Sequence, residues 1–178
     1  MNIASSDFTE LGSQMVLPLF EGVDKAPNNS LSGLSRSQRS LVKDALSSGS
    51  FDGKKGKRMT LWTPGCNIVL VGMGEKDSLG HKRARNTGAR LIASMSKKKG
   101  IDVTVRFTSG WSVERMIDFA EGMLLRDYEF LEHQESPKDH ISDPWNVSFQ
   151  ASSRYQESLS RGLNLSLIHI SEPTRRLS

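Results

Sequence analysis

The chain of 178 residues has room for one ordinary domain with a buried core, and 36% hydrophobic, 25% charged and 7% aromatic residues match soluble globular usage. This excludes a disordered tail and a membrane bundle, since no run approaches the roughly 18 apolar residues of a membrane span. The 24 cations against 20 anions leave a formal +4, too small an excess to name a polyanionic partner, and the single Cys66 rules out an internal disulfide framework.

The stretch from Met1 to Asp7 lacks the basic start and apolar run of a secretory signal, so the cytoplasm is the expected compartment. Gln14 to Phe20 is a short apolar run that suits a buried strand, and Pro18 pushes it toward a sheet edge or a bulge. Ser30 is placed to cap a helix whose Leu31, Leu34, Leu41, Val42, Ala45 and Leu46 mostly share a face, with Gly49 as its stop. Met59 and Leu61 lie in one strand and Asn67 to Val71 in another, joined by the turn chemistry of Thr63-Pro64-Gly65. The second of these is almost wholly apolar, the mark of a strand covered on both faces.

From Leu79 to Lys99 the positions Ala84, Gly88, Leu91, Ile92 and Met95 recur at helical spacing. Lys97 to Lys99 complement the negative helix end, and Gly100 offers a left-handed cap. Ile101 to Phe107 alternates as a strand, which makes a parallel βαβ unit with strand 67–71. Ser112 opens a further helix with Val113, Met116, Ile117, Ala120 and Leu124 inward. After Tyr128 comes a polar linker, then a short strand around Trp145 to Phe149 and a helix beginning near Ser152. The order of elements gives an α/β fold, three-layer α/β/α with a mixed sheet.

The last stretch, Leu165 to Ser178, contains Leu-Ser-Leu-Ile-His-Ile-Ser-Glu-Pro-Thr-Arg, which resembles a frame translation of the transposase adapter of shotgun sequencing libraries. Residues 165–178 are therefore expected to be a non-native tail, with the natural frame continuing beyond Asn164. The expected division is a domain over 1–131, a linker, short strand and start of a connecting helix over 132–164, and the tail.

Few residues offer chemistry. Val71-Gly72-Met73-Gly74 leads from a strand toward a helix, where glycines let a backbone close on phosphate, but Asp77 occupies the slot of a third glycine, so a plain tight turn is expected. Glu132, His133, Glu135, Asp139, His140 and Asp143 are ligand types scattered in a polar stretch without the fixed spacing a metal needs. Cys66 reads as a packed thiol. The Asn-x-Ser triplets at Asn28 and Asn146 matter only in a secreted protein. Lys54, Lys55, Lys57 and Arg58, with the His81 to Arg85 cluster, are the residues able to meet a phosphate backbone by counterion release; the bland reading is solvated surface. Sparse aromatics near them argue against single-strand stacking.

Gly53-Lys54-Lys55-Gly56, Trp62-Thr63-Pro64-Gly65, Val69 to Gly74 and Phe119-Ala120-Glu121-Gly122-Met123-Leu124-Leu125-Arg126-Asp127-Tyr128 together resemble the N-terminal domain of the leucyl (cytosol) aminopeptidase family. Tyr155 to Asn164 is similar to the helix that leads from this domain into the catalytic one. The resemblance implies a macro-domain-like fold and a parent metallopeptidase, a cytoplasmic hydrolase active in proteolysis that removes N-terminal amino acids from peptides. It also implies two divalent metal ions, zinc or manganese, held by Lys, Asp and Glu of a C-terminal catalytic domain, and a homo-hexamer. No catalytic, cofactor-binding or metal-binding residue is carried over to this chain, which is expected to be inactive by itself. Its expected partners are its own catalytic domain and the other subunits, with no membrane. DNA enters because some bacterial relatives act as DNA-binding accessory factors. The alternative is a free-standing nucleic-acid or nucleotide-binding α/β module.

Overall fold

The computed structural model describes residues 2–5, 11–24, 28–95, 102–132 and 146–171. Its elements in chain order are β1 (Asn2–Ser5), β2 (Gln14–Leu19), a turn of 3-10 helix (Asn28–Leu31), α1 (Arg36–Ser47), β3 (Arg58–Leu61) and β4 (Asn67–Gly72). There follow α2 (His81–Met95), β5 (Asp102–Arg106), α3 (Val113–Glu132), β6 (Asn146–Gln150) and α4 (Ser153–Ser171). Among the described residues six strands form one sheet in the order β1-β6-β5-β2-β4-β3, parallel throughout except for the antiparallel β3–β4 pair. The expected mixed sheet with helices on both faces is what forms.

Side-chain alternation along the strands sorts the apolar residues into two layers. On one face Val16, Val69, Val71, Val105 and Phe149 meet α2, α3 and α4 through Leu91, Ile92, Phe119, Met123, Leu159 and Leu163. On the other, Met15, Leu17, Leu19, Ile68 and Leu70 meet Leu31, Val42 and Leu46. The first layer has an aromatic centre: Phe107 lies 4.9 Å from Trp111, 5.8 Å from Phe119 and 6.1 Å from Phe149 between ring centroids. Helices α2 and α3 cross where each has a glycine. A Cβ on Gly88 would stand 2.0 Å from the Phe119 carbonyl oxygen, and one on Gly122 would stand 1.8 Å from that of Arg85.

Several expectations change. β2 is central, between β4 and β5, not at an edge. Pro18 is tolerated because β5 pairs with β2 only over Gln14–Val16; past that point the Pro18 carbonyl accepts from Trp111 Nε1 at 3.3 Å, and the missing N–H breaks no ladder bond. The helix expected to open at Ser30 is two elements, a 3-10 turn and α1. Ser35 caps α1 by a reciprocal box: its hydroxyl accepts from the Gln38 backbone N–H, and the Gln38 side chain accepts from the Ser35 N–H. β4 and β5 are parallel as expected, but β2 lies between them. Sequence reading missed β1, which pairs with β6 at the sheet margin. Helix α2 opens at His81, and the Lys97 to Lys99 turn with its Gly100 cap lies outside the described residues. Strand β6 sits inside the sheet between β1 and β5, and α4 runs through Leu165 without a break.

Alternation on β5 also conceals a burial. Thr104 and Arg106 face the second layer and are shut from solvent as completely as Val105. Arg106 Nε donates to Gln150 Oε1 at 2.8 Å, and its Nη1 donates to the Ser30 and Ser32 carbonyls at 3.2 and 2.5 Å. Burial pulls its guanidinium down to about 10.

Candidate functional site

The glycines after β4 are occupied with packing. The Gly72 N–H donates to the Lys57 carbonyl at 2.7 Å, that of Met73 to Leu19 at 2.9 Å and that of Gly74 to Gly53 at 2.9 Å. A Cβ on Gly72 would stand 2.0 Å from the Lys54 carbonyl oxygen, so this glycine admits the 53–57 loop. These three N–H groups are committed to backbone carbonyls, so they are not free to cradle a phosphate.

That same packing builds a different site. By closing on Gly72, the 53–57 loop and β3 come to flank α2, leaving between them a groove of about 550 Å³. Among the described residues six cations line it, Lys55, Lys57 and Arg58 from one wall and Lys82, Arg83 and Arg90 from the other, and no carboxylate does. The floor includes Val71 and Leu91, and Ser78, Asn86, Thr87 and Ser94 add neutral polar groups. Helical geometry explains the second wall, since positions 82, 86, 90 and 94 follow one another at intervals of four and 83 and 87 lie beside them.

Hydroxyls hold two of the arginines. Arg83 Nη1 donates to Ser78 Oγ at 2.6 Å, and Arg58 Nη1 donates to Ser94 Oγ, whose own proton goes to the Leu91 carbonyl at 2.5 Å. Lys57 reaches Asp52 at 3.3 Å, and Lys54 shares that carboxylate at 3.3 Å. The Lys54 backbone N–H holds the Asp52 carboxyl down at about 2, with help from the two ammonium groups. Among the described residues Lys55, Lys82 and Arg90 enter no ion pair.

The structure therefore brings together part of the two runs that the sequence offered as one candidate, and it sorts them. Lys54 goes to Asp52, while His81 and Arg85 turn to the far side of α2. There His81 Nδ1 donates to Asp118 Oδ2 at 2.6 Å, and Arg85 Nη2 reaches Asp118 at 3.4 Å and Glu121 at 2.5 Å. Arg115 adds a contact to Asp118 at 3.5 Å. Sequence reading missed Arg90, whose signal was its spacing of eight from Lys82 on one helix.

The other candidates resolve simply. Cys66 is buried beside β4, and burial pushes its thiol up, as expected of a packed cysteine. Asn146 donates to Asp102 Oδ1 at 2.8 Å. Of the scattered ligand types, Glu132 ends α3, and His133, Glu135, Asp139, His140 and Asp143 lie outside the described residues. Among the described residues no three of His, Cys, Asp and Glu cluster as a metal site, and no helix is long and apolar enough to cross a membrane.

Comparison with known proteins adds the family context. Residues 16–137 match the model of the cytosol aminopeptidase family, N-terminal domain. A mutant of tomato leucine aminopeptidase is similar in structure, with a TM-score of 0.63 and 20% identity, over 96% of this chain and 37% of that one. The bottromycin maturation enzyme BotP, in complex with manganese, is similar with a TM-score of 0.50 and 14% identity, over 87% of this chain and 30% of that one. A search of curated proteins returns no match.

Proposed function

Because the chain belongs to the cytosol aminopeptidase family, we propose that it is the non-catalytic N-terminal part of a metal-dependent leucyl aminopeptidase. In this reading the parent is a cytoplasmic hydrolase that removes N-terminal amino acids from peptides. Two divalent ions, zinc or manganese, serve it in a C-terminal catalytic domain that docks on this one, and the subunits assemble as a hexamer. One observation carries the reading: the match is to that family's N-terminal domain, and this chain spans 37% of the tomato enzyme's length. Paired metals need a preformed carboxylate cage, which the described residues do not make, so no step of hydrolysis is assigned to a residue here.

Two measurements test this. The purified chain, given manganese or zinc, should release no chromophore from a leucine anilide; metal-dependent release would overturn the proposal. Long-read sequencing through the codon for Asn164 should show the frame continuing into a second domain with clustered Lys, Asp and Glu, in place of residues 165–178. A genomic frame that encodes those residues and stops would favour the alternative, a free-standing nucleic-acid or nucleotide-binding module.

A further inference from the structure

The groove between β3 and α2 has a property that family membership does not explain. Two segments more than twenty residues apart place six cations around one recess, with no carboxylate among the described residues of its walls. Bringing like charges together is unfavourable unless something of opposite sign completes the set. The side chains that orient Arg58 and Arg83 are serines, which fix the guanidinium groups without neutralising them. One charge is offset nearby, that of Lys57 by Asp52.

From this geometry we propose that the groove binds a small molecule bearing two or more linked phosphate groups. Its volume of about 550 Å³ suits a small ligand. Three guanidinium groups offer planar, paired donors that match phosphate oxygens, and Lys55, Lys57 and Lys82 supply compact charge around them. A single monoanion would leave most of that charge unbalanced, whereas a linked polyphosphate concentrates several charges in one recess. The floor at Val71 and Leu91, with Asn86 and Thr87 beside it, gives room for an uncharged portion such as a nucleoside. Nucleic acid fits less well. A duplex backbone is met along an extended stripe, and a single strand needs aromatic platforms, none of which lines the groove among the described residues.

The test is titration calorimetry of the full chain with inorganic tripolyphosphate, orthophosphate, ATP and a short DNA duplex at near-physiological salt. Tripolyphosphate should bind at one saturable site, orthophosphate much more weakly. Lys82→Ala combined with Arg90→Ala should weaken tripolyphosphate by roughly tenfold or more, the loss expected for charge-assisted contacts. Arg85→Ala, which removes a charge from the other side of the same helix, should leave it unchanged. Wild-type amide shifts on titration should centre on Gly56, Asn86 and Thr87, which locates the site without relying on any variant. Tighter binding of ATP than of tripolyphosphate would identify a nucleotide, and equal binding the phosphate chain alone; both support the proposal. It is overturned by absent saturation, by amide shifts centred elsewhere, or by equal loss in Arg85→Ala. A duplex that binds through Lys82 and Arg90 while tripolyphosphate does not would also overturn it, making the groove a nucleic-acid surface.

Discussion

Helix α2 carries basic residues on two sides and treats them oppositely. Toward α3, His81 and Arg85 meet Asp118 and Glu121, with Arg115 completing the network around a carboxylate that is itself nearly buried. Toward β3, Lys82, Arg83 and Arg90 face three further cations across a groove with no acid among the described residues of its walls. The first arrangement is what a fold needs where two helices pack, since a buried carboxylate without partners would be costly. The second leaves most of its charge unneutralised, and positive charge left in a recess is where a ligand of opposite sign is to be sought.

The contrast can be broken most severely at the helix crossing. Gly122→Val would drive a branched side chain into the Arg85 carbonyl and part α2 from α3, costing about 3 kcal/mol or more by urea denaturation. A smaller loss would mean that the helices slide apart easily. Next is Asp118→Asn, which leaves His81, Arg85 and Arg115 without their shared anion. Because His81 and Arg85 are substantially exposed, the cost is about 1–2 kcal/mol, below that of a fully buried pair. It should shrink with added salt.

The groove side should respond with the opposite sign. Arg90→Ala relieves repulsion and should leave stability unchanged or raise it by roughly 0.2–0.5 kcal/mol, the scale of like-charge pairs on a helix. A clear loss would show that Arg90 is structurally engaged. The smallest effect belongs to Asp52, the carboxylate tied to Lys57. Its carboxyl sits at about 2 against an ordinary 3.8, so its stabilisation is complete above pH ~4 and fades as pH falls through 2. Carbon-detected titration should place the midpoint there, and Asp52→Asn should converge with the wild type in stability only below that pH.

The elements whose periodicity is local were legible in the sequence. β4 showed as a continuous apolar run, and α2 and α3 showed through their 3.6-residue stripes. The Phe119 to Tyr128 segment and the glycine-lysine-glycine loop carried the family resemblance, which the match over residues 16–137 supports. Less legible was anything set by strands distant in sequence. The central place of β2 depends on where β5 stops pairing, and the burial of Arg106 depends on Gln150 and the Ser30–Ser32 carbonyls meeting it.

By itself, then, the sequence determined the α/β class, most of the helices and strands, and the family, because hydrophobic period and turn chemistry are properties of neighbouring residues. Tertiary structure alone decided which basic residues stand together. Helical rotation sends His81 and Arg85 one way and Lys82, Arg83 and Arg90 the other, and only the closure of the 53–57 loop on Gly72 brings Lys55, Lys57 and, at the start of β3, Arg58 opposite them. Charge acts through space over several ångströms, so its meaning appears only once the chain has been folded.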